Sequence, residues 1–107
     1  MELSQYQIVL VNLDPTIGSE IKKTGSCVVI SPNEMNKYLR TIIVAPMTTK
    51  SKKYPTRIEV KHDSEIGWIV IDQIRIIDKQ RILKVIGRLS KPEVKEVKSV
   101  LKETFID

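Results

Sequence analysis

The sequence predicts a mainly β fold, a small and strongly curved antiparallel sheet or barrel with one helix at the C-terminus. Three observations support this prediction. The chain has 107 residues, which suits one domain with one core, residues 1–107. Short runs rich in Val and Ile alternate with turn signals, which is typical of successive short strands. A clear helical spacing of apolar residues is found near the C-terminus.

Turn residues divide the β-rich part of the chain into predicted strands. Asp14-Pro15 follows the first run and Ser31-Pro32 follows the second. Pro46 is expected to close the third, because proline cannot donate to a strand ladder. Residues 14–25 and 48–56 are polar and are expected to be loops. The predicted strands are residues 7–13, 27–31, 40–45, 57–61, 67–72, 74–77 and 82–87.

The C-terminal helix is predicted by its start signal and its apolar spacing. Ser90 and Glu93 have the spacing of a capping box, and Pro92 suits the first turn. The outer positions are Glu and Lys, so the helix needs a partner for one face only. Its apolar stripe is Val94, Val97, Val100, Leu101 and Phe105.

The positive charge of the chain is concentrated in its middle. The formal net charge is +5, and residues 37–61 hold seven basic residues against Glu59 alone. Such a segment can neutralise nucleic-acid phosphates independently of sequence, or it can be a solvated loop that keeps the protein soluble. Charge alone leaves both interpretations open.

The inventory of reactive side chains excludes several classes of protein. One cysteine, Cys27, and one histidine, His62, exclude an internal disulfide, a cysteine zinc cluster and a mechanism with two imidazoles from one chain. We expect no metal and no cofactor. The N-terminus lacks the features of a signal peptide and no run spans a bilayer, so we expect a cytoplasmic protein without a membrane partner.

Two polar loops, residues 14–23 and 48–53, remain as candidate sites. RNA carries its own nucleophile, the 2′-hydroxyl. Its cleavage therefore needs only a proton acceptor, a cation at the phosphate and a proton donor for the leaving oxygen. A glutamate such as Glu20, the basic residues and a threonine can supply these groups. The pattern permits this chemistry without specifying it.

Four motifs in order make the chain resemble a known family. They are Asp14-Pro15-Thr16-x-Gly18-Ser19-Glu20, the segment Cys27–Pro32, the segment Ala45–Lys50, and the segment Asp72–Ile82. Together they resemble the MazF/PemK (Kid) toxin family of bacterial type II toxin–antitoxin modules. The similarity covers nearly the whole chain, from about residue 7 to the terminal helix.

The resemblance implies a fold, an activity and partners. Family members are SH3-like β-barrels that form homodimers. They are metal-independent endoribonucleases that cut single-stranded RNA at short sequences and leave a 2′,3′-cyclic phosphate and a 5′-hydroxyl. A cognate MazE-like antitoxin inhibits them by laying an acidic, extended segment over the RNA groove.

The same resemblance assigns candidate residues. Thr48 matches the family's active-site threonine, whose hydroxyl could donate to the phosphate; the plainer interpretation is a strand-end threonine that satisfies loop backbone. Glu20 matches a groove residue that is either a base or a solvated acid. Gln73 and Arg75 are expected to be scaffold or a dimer contact. Trp68 is expected to pack in the core or at a dimer interface, with base stacking as the less favoured alternative. The candidate RNA-binding residues are Ser19, Lys22, Lys23, Thr49, Lys50, Lys52, Lys53 and Tyr54.

One departure from the family bears directly on catalysis. The family reads Lys-x-Arg-Pro before the second strand, and the arginine is its main catalytic cation. Here Gly25 and Ser26 occupy the Arg and Pro positions, and glycine cannot hold a phosphate charge. The change is deliberate disarming, a natural degenerate member, or a shift of the site to Lys22 and Lys23. The alternatives to an impaired ribonuclease are a non-catalytic RNA- or antitoxin-binding module and a CcdB-like gyrase inhibitor.

Overall fold

The computed structural model describes residues 2–12, 24–62 and 65–106, and it gives seven strands and two α-helices within them. The strands are β1 Gln7–Asn12, β2 Thr24–Val29, β3 Thr41–Thr48, β4 Arg57–His62, β5 Glu65–Val70, β6 Arg75–Asp78 and β7 Ile82–Arg88. The helices are α1 Asn33–Tyr38 and α2 Lys91–Phe105, and short 3₁₀ turns cover Ile71–Gln73 and Lys79–Arg81.

The strands form one mainly antiparallel sheet with β3 at its centre. The order is β4-β5-β3-β2-β1-β7, and β6 pairs with β3. The predicted mainly β fold with a C-terminal helix is confirmed. Within the described residues β4 and β7 end the sheet without pairing to each other, so the curved sheet is open rather than a closed barrel.

The prediction that β3 ends at Pro46 is wrong. β3 continues to Thr48, because its neighbour changes at the proline. Residues 41–44 pair with β6, whereas Met47 and Thr48 pair with β5. Pro46 lies between these two ladders, where a missing N–H costs little.

The second strand begins earlier than predicted. Thr24 and Gly25, expected in a loop, belong to β2 because they pair with Asn12 and Val11 of β1. Pairing with a formed strand overrides the low strand propensity of glycine.

Helix α1 was not predicted. Its anchor is a buried polar network between Ser31 and Asn36. The Ser31 hydroxyl donates to Asn36 Oδ1, Asn36 Nδ2 donates to the Ser31 carbonyl at 2.9 Å, and the Ile43 N–H donates to Ser31 Oγ at 3.1 Å. The network satisfies buried polar groups and ties the turn after β2 to β3.

Helix α2 agrees closely with its prediction. Ser90 and Glu93 form the capping box, with the Ser90 N–H donating to Glu93 Oε1 at 2.8 Å. Val97 is fully buried. Phe105, expected on the apolar stripe, is 55% exposed, and it is the last residue of the helix.

The core has two clusters on opposite faces of the sheet. Side chains alternate along a strand, so Val28 and Ala45 face one side with Ile69, while Cys27 and Val44 face the other. We call the first the helix face, because Val97 of α2 packs there. We call the second the outer face.

Candidate functional site

Thr48 lies on the outer face of the sheet, at the edge of the buried cluster that contains Cys27 and Val44. It pairs directly with Trp68 of β5, and Trp68 pairs with Glu59 of β4. Directly opposed residues of antiparallel strands point to the same face. Thr48, Trp68 and Glu59 therefore form a cross-strand row on the outer face.

Gly25 lies on β2, which neighbours β3 on the side away from β5. β2 and β3 pair Val29 with Val44 and Cys27 with Pro46. The paired residues of the two strands end at Cys27 and Pro46, two residues short of Gly25 and Thr48. Gly25 is itself paired with Val11 of β1. The two candidate catalytic positions that the sequence singled out therefore both lie just beyond the same end of the ladder between β2 and β3.

The Thr48 hydroxyl is engaged by its own loop. Thr48 Oγ1 accepts from the Lys50 N–H at 3.1 Å and is 3.4 Å from the Lys50 carbonyl. This is the local capping that the plainer interpretation of Thr48 describes. The bond also fixes the direction in which residues 49–56, which we call the basic loop, leave β3.

The basic loop is organised by Arg57, which sequence reasoning did not single out. Arg57 Nε and Nη2 donate to the two carboxylate oxygens of Asp72 at 3.3 and 3.4 Å. Its Nη1 donates to Ser51 Oγ at 2.9 Å, and its guanidinium carbon is 5.3 Å from the centre of the Tyr54 ring. One side chain thus joins β4, the loop and the turn after β5.

Asp72 is the anchor of this arrangement. Besides Arg57, it accepts a bond from Thr56 Oγ1 at 2.8 Å. The hydrogen bonds from Arg57 and then from Thr56 lower the pKa of the Asp72 carboxyl. Asp72 is therefore ionised at neutral pH, and its contact with Arg57 is an ion pair.

The predicted RNA-binding residues of this loop are accessible. Thr49, Lys50, Lys52 and Lys53 are exposed, as is Tyr54 at 55%. Four other predicted site residues, Ser19, Glu20, Lys22 and Lys23, lie outside the described residues.

Two further residues lie on this surface, and their position there was not predicted from the sequence. Trp68, for which packing in the core or at a dimer interface was preferred to base stacking, is half-buried beside Thr48. Arg57 was counted only as one of the basic residues. The position of both residues on the outer face follows from the period of two along residues 57–61 and 67–70, once the pairing of the two strands is known.

Cys27 lies beneath the site and is chemically protected. Its side chain is 3% exposed. Burial raises the pKa of the thiol to about 11, although the charge of Arg75 acts in the opposite direction. The thiol is therefore neutral at physiological pH and behaves as a small apolar side chain.

Among residues 2–12, 24–62 and 65–106, no group of three or more His, Cys, Asp or Glu side chains is arranged to hold a metal ion. None of the described helices is long and apolar enough to cross a membrane.

The fold and the sequence together define the class of protein. The family described as PemK-like, MazF-like toxin of type II toxin-antitoxin system matches residues 4–105, so the chain belongs to this family. Its relatives include Endoribonuclease MazF of Staphylococcus saprophyticus subsp. saprophyticus. That protein is 32% identical over 100 residues, spanning 88% of this chain and 83% of the relative.

Solved structures share the fold at lower identity. MazF of Deinococcus radiodurans superposes with a TM-score of 0.80 at 21% identity, covering 97% of this chain and 96% of that one. An endoribonuclease in complex with its cognate antitoxin from Mycobacterial species has a TM-score of 0.77 at 16% identity, covering 95% and 91% of the two chains. The resemblance inferred from the four motifs is confirmed.

Proposed function

We propose that this chain is a toxin that acts on single-stranded RNA as an endoribonuclease, and that Gly25 impairs its catalysis. Family membership supports the reaction class. The observation that carries the proposal for this chain is the direct cross-strand pairing of Thr48 with Trp68, just beyond the end of the ladder between β2, which holds Gly25, and β3. Exposed Lys50, Lys52 and Lys53 follow directly after Thr48.

The proposed reaction is a transesterification within the RNA. The 2′-hydroxyl gives its proton to a base, for which Glu20 is our candidate, and its oxygen forms a bond to phosphorus. The P–O5′ bond breaks, and the 5′-oxygen takes up a proton. The products are a 2′,3′-cyclic phosphate and a 5′-hydroxyl. Because the nucleophile is part of the substrate, the step requires no metal-bound water.

Thr48 and the basic loop have distinct roles in this proposal. The Thr48 hydroxyl donates to a non-bridging phosphate oxygen in place of its contact with the Lys50 carbonyl, which is already long at 3.4 Å. Lys50, Lys52 and Lys53, with Lys22 and Lys23 of the first loop, hold neighbouring phosphates. Ser19, Thr49 and Tyr54 complete the RNA contacts.

Gly25 leaves the phosphate without its strongest cation. An arginine can bind phosphate through two parallel N–H donors, whereas a lysine is a point charge. Loss of one transition-state donor typically lowers kcat by about 10²–10³-fold. We therefore propose that RNA and antitoxin binding persist in this chain while turnover is weak.

Two macromolecular partners belong to the proposal. The first is a MazE-like antitoxin with an acidic extended segment, to which the exposed lysines after β3 are complementary.

The second is another copy of the chain. Large apolar side chains are exposed on β6 and β7, namely Ile76, Leu83, Val85 and Ile86. We expect Leu83→Glu to convert a dimer to a monomer in light scattering, with exposed Ile106→Glu as the control.

A paired cleavage assay tests the proposal. The chain and its Gly25→Arg/Ser26→Pro version are incubated with a long single-stranded RNA in EDTA, and the new 5′-hydroxyl ends are mapped. We expect cleavage by the restored chain to exceed that of the parent by about 10²-fold or more. Thr48→Val in the restored background is the matched control for a contaminating nuclease.

The other outcomes assign the function differently. Equal cleavage by both chains shows that catalysis depends on Thr48 and the lysines, and the argument from Gly25 is then wrong. Absence of cleavage in both, with RNA or antitoxin still bound, indicates the non-catalytic binding module. Intact RNA with inhibition of DNA supercoiling indicates a gyrase inhibitor.

A further inference from the structure

We propose that Trp68 is the stacking platform for the nucleobase next to the phosphate at Thr48. This inference rests on the proposed function and adds a residue that contacts the substrate. It concerns single-stranded RNA, whose unpaired bases are free to stack on an aromatic side chain.

The position of Trp68 relative to Thr48 is the first argument. The two residues are directly paired across β3 and β5, so their side chains leave the same face about 4.5–5.5 Å apart. A base and the phosphate of the same nucleotide are neighbours at a similar spacing. A phosphate at the Thr48 hydroxyl therefore brings a base over Trp68.

The packing of Trp68 is the second argument. On β5 the alternate residues Gly67 and Ile69 face the helix side, where Ile69 is fully buried. Trp68 points the other way and belongs to neither core cluster of buried residues. It is half-buried, and its neighbour on the same face, Ile66, is 47% exposed. An indole in this position can offer a flat surface to a ligand.

The charge around Trp68 favours RNA over an apolar partner: exposed Glu59 lies directly opposite Trp68, but the nearby lysines outnumber it. On the same face of β4, exposed Lys61 lies two residues beyond the Glu59 that pairs with Trp68. The loop that leaves Thr48 adds Lys50, Lys52 and Lys53. A second copy or an apolar peptide would bury these charges, whereas phosphates neutralise them.

Tyr54 is the alternative stacking residue and is less suited to this base. Its ring is 5.3 Å from the Arg57 guanidinium, so one of its faces is already used. It also lies six residues beyond Thr48 in the loop, whereas Trp68 is paired with Thr48 directly.

The experiment uses the fact that Trp68 is the one tryptophan of the chain. The probe is a mixed-sequence single-stranded oligonucleotide with 2′-O-methyl riboses, which binds but cannot be cut. Binding is followed by the anisotropy of an end label, and Trp68 is followed by its emission and by quenching with acrylamide. We expect emission to change with the same midpoint as anisotropy and acrylamide quenching to fall on binding.

Two substitutions separate stacking from a structural role. Trp68→Leu should weaken probe binding by about fivefold to a hundredfold, since a stacked base is lost, and Trp68→Phe should recover most of the affinity. Tyr38→Leu, which removes another exposed aromatic, on α1, should bind like the parent. Circular dichroism confirms that each variant is folded.

The negative results fall into distinct classes. If anisotropy titrates while Trp68 emission and quenching stay constant, and Trp68→Leu binds like the parent, this inference is overturned and the proposed function stands. If Trp68 emission follows protein concentration alone, Trp68 is in a contact between copies and the inference is likewise overturned. If neither the chain nor its Gly25→Arg/Ser26→Pro version binds or cuts RNA, the proposed function fails and the inference fails with it.

Discussion

The helix face and the outer face of the sheet differ in what covers them. On the helix face, α2 places fully buried Val97 against Val28, Ala45 and Ile69. The outer face is buried around Cys27 and Val44, but it opens at Thr48 and Trp68, which are only half-buried. One strand, β3, supplies residues to both faces.

This difference separates stability from recognition. A fully covered face contributes apolar burial, so substitutions there should change the free energy of unfolding and leave RNA contacts intact. The open edge of the outer face, around Thr48 and Trp68, carries hydroxyl, aromatic and cationic groups that have few core contacts. Substitutions there should change RNA binding and the cleavage rate. Five predictions test this comparison, and the first two ask directly whether the two faces are independent.

Thr48 should give the largest effect. In the Gly25→Arg/Ser26→Pro chain, Thr48→Val should lower the cleavage rate by about 10²–10³-fold, which corresponds to about 3–4 kcal/mol of transition-state stabilisation. The urea midpoint should change little, because Thr48 is at the open edge and its partner, Lys50, is an exposed loop residue. Single-turnover kinetics measure the cleavage rate, and urea denaturation of the same variants measures the midpoint.

Thr104→Val is the matched control, since it removes a hydroxyl from α2, which packs on the helix face. It should retain most of the cleavage rate. If Thr48→Val loses stability in proportion to its activity, Thr48 has only its capping role and the two faces are not independent.

Val97 should give the reverse result. Val97→Ala removes methyl groups from a fully buried position, at about 0.8 kcal/mol per group plus a cavity term, or about 2 kcal/mol in total. Binding of a 2′-O-methyl oligonucleotide should stay unchanged below the unfolding transition. Lys98→Ala, on the exposed side of the same helix, should shift the unfolding free energy by less than about 0.5 kcal/mol.

Cys27 predicts how the buried part of the outer face responds to pH. Its folded pKa is about 11, whereas an unfolded thiol titrates near 8.5. The folded state therefore binds the proton more tightly, so stability is fully present below pH about 8.5 and declines as pH rises toward about 11. We expect a loss of about 1–3 kcal/mol by chemical denaturation across this window.

Cys27→Ala should remove most of that slope. Tyr6, whose pKa is also raised by burial, leaves a smaller slope at the alkaline end in both proteins. A parent chain with flat stability up to pH about 10 would show that the thiol is reached by water.

The elements of this fold were predictable where a local signal and the tertiary structure agree. The capping box of Ser90 and Glu93 is a local signal, and α2 begins there. β3 was predicted to be too short, because a proline considered alone ends a strand. Pro46 is tolerated within β3 only because the partner of β3 changes there from β6 to β5. Helix α1 escaped prediction because its anchor, Ser31 with Asn36, is a buried network that depends on Ile43 of the next strand.

The candidate site shows the same division. Thr48 and Gly25 were found from motifs, which record residue type and order. The pairing of Trp68 with Thr48 and the ion pair of Arg57 with Asp72 were not, because each joins segments that are separate in the sequence. Register is a property of two segments together, so a pattern within one segment cannot reveal it.

Substitution of Arg57 should give the smallest change in stability, and its effect should be confined to the basic loop. Its ion pair with Asp72 is partly exposed, and such pairs contribute about 0–1 kcal/mol. Arg57→Gln should therefore lower the unfolding free energy by no more than about 1 kcal/mol. Because the guanidinium also holds Ser51 and lies against Tyr54, the loop should lose its fixed shape, and amide hydrogen exchange at residues 51–54 should accelerate.

Acid should reproduce this loosening without a mutation. The pKa of Asp72 is lowered by its bonds from Arg57 and Thr56, so the ion pair is present at neutral pH and is lost as pH falls through that depressed value. Loop exchange, corrected for its intrinsic pH dependence, should therefore rise in the parent and stay constant in Arg57→Gln. Lys61→Gln, which removes another cation of β4, should behave like the parent at every pH. If it loosens the loop as much as Arg57→Gln does, the loop responds to net charge and the contacts of Arg57 are not what orders it.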